Sequence, residues 1–265
     1  MSGYLVKFHQ FRIEPCAVVQ DLDVRAGDMV ICKISDGEDL GKVIKSIETD
    51  EPVGVVMRKA EPEEVEETER NRKKAEEAME VFRELLREFK LPMKLIDAHY
   101  RWDGKKIAFY FFSPQRLNFR TFHKALSQRL RMGVAIKQIG VRDYTKYVGG
   151  LGPCGRELCC HSFFSELRHI TLRMAREQNL YVSPLKITGA CGKLLCCLAF
   201  EREFYQESLK RFPKIGSKVE TKQGKGKIIG LDIFNSRVVV RLGTDYELYL
   251  PLQEIKEVKR RDEGI

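Results

Sequence analysis

Six cysteines in the second half of the chain form the pattern best suited to chemistry. They lie in two segments, GPCGRELCC at 152–160 and GACGKLLCC at 189–197, and each cysteine of the first recurs 37 residues later in the second. With the glycine, leucine and phenylalanine positions around them, both segments follow the form G-x-C-G-x-x-L-C-C-x-x-F. A repeat at seven positions with one offset indicates that the thiols act together. The candidate ligands are Cys154, Cys159, Cys160, Cys191, Cys196 and Cys197.

Metal binding is the chemistry that this spacing favours. A disulfide framework is not expected, because the chain opens with no secretion signal and a reducing compartment keeps thiols free. Structural zinc usually takes paired C-x(2–4)-C knuckles, and adjacent cysteines diverge too far to meet on one small ion. An iron–sulfur cluster is wider, binds thiolates at separate corners and accepts a C-x4-C spacing. An iron–sulfur cluster is therefore favoured over zinc, with a redox dithiol and buried structural cysteines as open alternatives.

The rest of the chain predicts an α+β protein in four segments that would position these thiols. Both ends alternate short apolar strands with glycine-rich turns, which is typical of small SH3-like β-barrels. The central segment has strand and helix periodicity in the order β-α-β-β-α-β, which is the order of a ferredoxin-like domain. The cysteine repeat lies in a segment of mainly helical character. The predicted domains are 1–52 (N-terminal barrel), 53–148 (ferredoxin-like), 149–212 (cysteine-rich) and 213–265 (C-terminal barrel).

Individual elements of the two middle segments follow from periodicity and from breakers. Apolar residues three and four apart between two prolines predict a long helix, and Asp103-Gly104 predicts a tight hairpin. The predicted strands are 53–59, 93–102, 105–112 and 134–141. The predicted helices are 61–91, 117–132, 164–179 and 198–212.

The net charge of +9 is unevenly distributed. The stretch 61–90 holds eleven acidic and seven basic residues, whereas 116–146 holds eight basic residues and one acidic residue. A basic surface favours nucleic acid or an acidic partner, although the same charges also suit a solvated surface. The aromatic residues near this basic stretch are expected in the core. The candidate nucleic-acid contacts are Arg116, Arg120, Lys124, Arg129 and Arg131.

Catalysis is not expected from this sequence. The chain has no P-loop, no nucleotide-binding glycine fingerprint, no G-x-S-x-G elbow and no H-E-x-x-H motif. Its acidic residues concentrate on the long predicted helix instead of forming the cluster that a metal-dependent nuclease needs. No uncharged stretch approaches the roughly 18 residues of a membrane span. We therefore expect a cytoplasmic, non-catalytic protein, in which Cys16 and Cys32 are core residues of the N-terminal barrel.

The cysteine segment resembles the signature of the YaaT/RicT family of bacterial cytoplasmic proteins. The resemblance rests on GGLGPCGRELCCHSFF and MAREQNLYVSPLKITGACGKLLCCL and extends over about residues 50–212. These proteins carry the C-terminal domain named after a yeast polymerase suppressor. The resemblance implies a subunit that joins RicA-like and RicF-like helical proteins in a complex with four-iron (4Fe-4S) clusters. Such a complex assists the membrane-anchored endoribonuclease RNase Y in mRNA processing and, in spore formers, affects sporulation, competence and biofilm development.

The same resemblance assigns cluster ligation to the six cysteines of the repeat. Six thiolates do not divide into whole four-ligand sites, which agrees either with ligands from partner chains or with one complete site and two spare thiols. Two functions of other classes stay open. One is a zinc-stabilised nucleic-acid-binding protein linked to replication, and the other is a redox sensor that uses vicinal thiols.

Overall fold

The structure is a computed structural model that describes residues 2–19, 22–164, 169–178, 180, 183–243 and 246–257. The chain forms two compact units, residues 1–147 and 148–265. Up to residue 148 the elements are β1 (Ser2–His9), β2 (Arg12–Val18), β3 (Met29–Ile34), β4 (Gly37–Glu48), β5 (Gly54–Lys59), α1 (Pro62–Phe89), β6 (Lys94–Tyr100), β7 (Lys106–Phe112), α2 (Arg120–Leu130), β8 (Gly133–Gln138) and α3 (Val141–Val148).

The remaining elements belong to the second unit. They are α4 (Cys159–Ser162), α5 (Leu172–Glu177), α6 (Pro184–Ile187), α7 (Cys197–Phe200), α8 (Arg202–Leu209), β9 (Lys218–Thr221), β10 (Gly224–Asp232), β11 (Arg237–Leu242), β12 (Tyr246–Pro251), a 3-10 turn (Leu252–Glu254) and β13 (Lys256–Glu257). The α+β class is therefore confirmed. No helix in the described ranges is both long and apolar enough to cross a membrane.

The first five strands close into a barrel in the order β1-β2-β5-β3-β4. Alternation along each strand sends one set of side chains inward, and the interior includes the fully buried Val6, Val30 and Val56. Cys16 and Cys32 are both buried in the same core, which confirms that they are core residues.

Strand β5 belongs to this barrel and not to the central sheet, which corrects the ferredoxin-like prediction for 53–59. It pairs parallel with β2 and antiparallel with β3. Gly54 permits the close approach, because a Cβ there would lie 2.7 Å from Ile34 Cγ2 and 2.9 Å from the carbonyl oxygen of Lys33. The central sheet consequently has three strands, in the order β6-β7-β8, and β8 lies parallel to β7. A ferredoxin-like sheet would have placed its first strand between these two.

Helix α1 confirms the long predicted helix almost to its ends. Glu61 and Glu64 form a capping box at its start, and Lys90 at its end adopts a left-handed φ of 49°. Helix α2 is shorter than the predicted 117–132. Both helices cover one face of the three-stranded sheet, where Phe82 of α1 lies 4.9 Å, centroid to centroid, from both Phe109 of β7 and Phe122 of α2.

A network of buried polar groups joins the barrel to the other parts of the first unit. Asp39 of β4 is 1% exposed, and its carboxylate accepts hydrogen bonds from His99 Nε2 at 2.8 Å and from the backbone N–H groups of Leu40 and Trp102. His9 of β1 stacks on Tyr110 of β7 with ring centroids 4.5 Å apart. These contacts fix the barrel against β6 and β7.

The helices of the second unit are shorter than the sequence suggested. Within the predicted helix 164–179, α5 begins only at Leu172, and residues 165–168 and 179 lie outside the described ranges. The predicted helix 198–212 is divided into α7 and α8 at Glu201. The division lets Leu198 join the small core under α5, while Phe204 of α8 stacks on Phe234 at 5.8 Å.

The C-terminal strands form a five-stranded antiparallel sheet in the order β12-β11-β10-β9-β13. One face of the sheet is apolar, and its fully buried side chains are Val219, Ile228, Val238 and Val240. The SH3-like character of both ends stays a prediction.

Replacing Phe82 with alanine should lower the free energy of unfolding of the first unit by about 3–5 kcal/mol, because the side chain is fully buried between two aromatic neighbours. Phe89 of the same helix is 37% exposed and is the matched control, for which we expect a clearly smaller loss. Urea unfolding of both variants measures the difference. Equal losses would contradict the packing described for α1.

Candidate metal centre

The first cysteine segment folds into a small hairpin. Leu151 pairs with Glu157 in an antiparallel bridge, and the N–H of Gly152 donates to the carbonyl oxygen of Arg156 at 2.8 Å. Gly155 sits at the tip with a φ of 76°, a left-handed conformation that strains any residue with a Cβ. Cys154 lies beside this tip and is exposed.

The second segment repeats this hairpin bond for bond. Thr188 pairs with Leu194, the N–H of Gly189 donates to the carbonyl oxygen of Lys193 at 2.8 Å, and Gly192 has a φ of 70°. The two sequence repeats therefore have the same local structure. Gly155 and Gly192 occupy the position in each copy where the backbone adopts a left-handed conformation, which glycine tolerates best.

A short helix follows each hairpin and begins at the vicinal cysteines, with Cys196 as the residue just before α7. In the first copy α4 begins at Cys159, and in the second α7 begins at Cys197. Adjacent side chains on a helical turn point in different directions, so the two thiols of a pair are not equivalent. Cys160 is buried, whereas Cys159, Cys196 and Cys197 are partly exposed.

The two copies meet at equivalent positions. Phe163 and Phe200 occupy the last position of the repeat, and their rings contact edge to face with centroids 5.0 Å apart. Burial, the Glu201 carboxylate and the nearby Cys159 raise the pKa of Cys197. The sequence predicts that the thiols act together. The Phe163–Phe200 contact joins the ends of the two repeats, and Cys159 of the first repeat lies near Cys197 of the second.

The donor chemistry suits a soft metal, because six thiols are the ligands that zinc and iron–sulfur clusters prefer. Within the described ranges, however, no three Cys, His, Asp or Glu residues converge closely enough to hold a metal ion. Exposed Cys154, at its hairpin tip, is available to other molecules. Ligation by the six cysteines stays a prediction.

A polar clamp that the sequence analysis missed holds α5 against α8. The Glu177 carboxylate accepts hydrogen bonds from Arg202 at 2.9 Å and from Arg173 at 2.8 Å, and these two guanidinium groups lower its pKa. Buried Gln178 donates to the carbonyl oxygen of Leu198 at 2.6 Å. Arg173 and Glu177 are four residues apart on α5, but Glu177 lies 25 residues from Arg202 and Gln178 lies 20 residues from Leu198, and no local pattern in the sequence connects these two pairs.

The five candidate nucleic-acid contacts lie on or beside α2 in the first unit, and all are exposed. Arg129 forms ion pairs with Glu84 at 3.2 Å and Glu88 at 3.6 Å, so the acidic helix α1 compensates much of its charge. Phe122 of α2 and Phe109 of β7 are fully buried, which confirms that these aromatics belong to the core and leaves them out of reach of bases. Nucleic-acid binding by α2 stays a prediction.

Known families match two parts of the chain. Residues 54–139 match the PSP1 C-terminal conserved region, and residues 169–212 match the third domain of PSP1-like proteins. Over 219 residues the chain is 36% identical to stage 0 sporulation protein YaaT of Bacillus subtilis (strain 168), with 80% of each protein covered. The chain belongs to the YaaT family. This confirms the resemblance on which the cysteine assignment was based.

Other relatives add less to the YaaT-family assignment. An uncharacterized protein of Schizosaccharomyces pombe is 38% identical over 65 residues, which is 24% of this chain and 9% of that protein. No solved structure matches the chain significantly. The PSP1 match begins at β5, so the conserved region of this YaaT-family chain includes the strand that closes the barrel.

Replacing Gly192 with alanine should strain the second hairpin by about 1–2 kcal/mol, because a left-handed residue with a Cβ is unfavourable even though the space around it is open. Exchange of the Leu195 amide, which donates to the carbonyl oxygen of Ile187, should then become at least about five-fold faster in native-state hydrogen exchange.

Gly189 provides the matched control, because a Cβ there would meet its nearest atom at an ordinary 3.5 Å. Gly189→Ala should leave the exchange rate unchanged or slower. Gly192→Asn should fall between the two, since asparagine tolerates the left-handed region. Equal exchange in all three variants would refute the role given to the turn.

Proposed function

We propose that this chain is a non-catalytic, cytoplasmic adaptor subunit of an iron–sulfur complex that modulates RNase Y-dependent mRNA processing. In this proposal it assembles with RicA-like and RicF-like helical proteins and, in spore formers, contributes to sporulation, competence and biofilm regulation. The relationship to stage 0 sporulation protein YaaT supports the proposal, since 36% identity extends over most of both proteins.

One observation carries the proposal: two cysteine hairpins share the same backbone hydrogen bonds and the phenylalanines that end the two repeats touch, yet in the described part of the chain no three donors converge. A four-iron cluster needs thiolates at separate corners. Donors from a second chain would complete such a site, and the cluster would then form only in the assembled complex. The cluster would make assembly depend on iron and oxygen, because metal binding and folding are coupled.

The chain's own residues would hold the cluster and the partner together. The thiolates of the repeat are the proposed ligands, and Cys154 and Cys191 each lie directly before a glycine with a left-handed backbone at the hairpin tip. Phe163 and Phe200 are more than half exposed beside these thiols. Exposed aromatic rings of this kind are enriched in protein interfaces, so they would bury against a helical partner.

The basic residues of α2 would serve a separate contact with RNase Y or with RNA. Arg116, Arg120 and Lys124 are exposed on or beside this helix. Arg129 would contribute less than these three, because Glu84 and Glu88 already pair with it.

Cys154→Ser and Cys191→Ser should each remove most of the bound iron and abolish co-purification of the RicA-like and RicF-like proteins. The three proteins are co-expressed and purified without oxygen, and iron, acid-labile sulfide and the visible spectrum are measured. Circular dichroism of each variant checks that the chain is still folded.

Cys16→Ala is the control, since Cys16 lies in the barrel core of the first unit and should keep full iron and both partners. Full metal content and intact assembly in the repeat variants would overturn the proposal. Colourless protein with stoichiometric zinc would favour a zinc-stabilised nucleic-acid-binding protein, and metal-free protein with reversible disulfides would favour a redox sensor.

A further inference from the structure

Three cations face one another across adjacent strands of the C-terminal sheet. The register of β9 and β10 places Lys218 directly opposite Lys227, and the register of β10 and β11 places Lys227 directly opposite Arg241. We refer to Lys218, Lys227 and Arg241 as the cationic row. Neighbouring strands lie about 4.8 Å apart, so the row concentrates three positive charges within roughly 10 Å at the backbone.

The cationic row points away from the hydrophobic core. Lys218 precedes buried Val219, Lys227 precedes buried Ile228, and Arg241 follows buried Val240. Side chains alternate along a strand, so these neighbours of core residues project from the opposite face. All three members of the row are exposed.

Nothing in the sheet neutralises this row completely. Glu247 of β12 pairs with Arg241 at 2.7 Å, and in the described ranges neither Lys218 nor Lys227 has an acidic side chain within ion-pair distance. Like charges directly opposite on neighbouring strands destabilise a sheet. The cationic row therefore lowers the stability of the sheet. Charges that destabilise a fold are expected where they bind a ligand.

An exposed aromatic ring completes the surface. Tyr249 of β12 lies opposite Val239, on the same face as the cationic row and two residues from Glu247. The ring is 65% exposed. Single-stranded nucleic acid is bound by surfaces that combine cations for the phosphates with aromatic rings on which bases stack.

We propose that the outer face of the C-terminal sheet binds single-stranded RNA, with phosphates on the cationic row and a base stacked on Tyr249. The combination of cations with a flat, exposed ring distinguishes this ligand from an acidic protein, which would need only the charges. Binding here requires neither the six cysteines nor a partner chain, so it can hold or fail independently of the iron–sulfur complex.

The test uses the purified full-length chain and a fluorescently labelled single-stranded RNA of mixed sequence, with affinity measured by anisotropy at several salt concentrations. Lys227→Gln should weaken binding and reduce the slope of log affinity against log salt by about 0.7, the value for one phosphate contact on a single strand. Tyr249→Ala should weaken binding about five-fold to 100-fold without changing the slope.

Lys222→Gln is the matched control, because Lys222 lies in the turn between β9 and β10, is 82% exposed and has no cation opposite it in the register of these strands. It should bind RNA like the unchanged chain. The thermal midpoint of Lys227→Gln should be equal to or higher than that of the unchanged chain, because the substitution relieves repulsion.

Three results would overturn the proposal. The first is unchanged affinity and salt slope in a Lys218→Gln/Lys227→Gln double variant. The second is that Lys124→Gln loses RNA binding while Lys227→Gln keeps its full affinity, which would place the RNA on α2. The third is equal competition by polyglutamate and by RNA, which would identify an acidic protein as the ligand.

Discussion

The first unit depends on a carboxylate that is almost wholly removed from water. Asp39 lies on the barrel, while two of its hydrogen-bond donors, His99 and the backbone N–H of Trp102, come from β6 and the turn after it. Removing a charge from water costs several kcal/mol unless donors replace the water, so the barrel and the sheet must meet in the register that supplies them. The guanidinium group of Arg101 donates a hydrogen bond across the same junction to the carbonyl oxygen of Asp36. It passes over Gly37, where a Cβ would collide with it.

The cysteine segment is organised differently, because its hydrophobic core is small. Among the residues of this segment that the structure describes, Ala175, Ile187 and Leu198 form the buried cluster, with four partly buried hydrophobic side chains packed against it. A core of this size contributes little stability by itself, and small segments of this kind are often completed by a metal or by another chain. The repeated hairpins and the aromatic contact between Phe163 and Phe200 give the segment a defined shape.

Charge illustrates how sequence and tertiary structure divide the information. The basic stretch around α2 is evident from the sequence, but one of its arginines is compensated by acidic residues about 40 positions earlier on α1. The cationic row is not evident from the sequence, because its members lie 9 and 14 positions apart in a chain rich in lysine. Strand register brings them together, and register depends on which residues each strand buries.

The sequence by itself determined the family, the repeat of six cysteines, the long helix α1 and the burial of Cys16 and Cys32. These features are local or periodic, and periodicity records which face of an element is buried. Tertiary structure decided which sheet received β5, because a strand with the same alternation fits either sheet, and in the barrel Gly54 permits its close approach to β3. It also decided which thiols and which cations become neighbours, since contacts between distant segments depend on packing that no short stretch of sequence encodes.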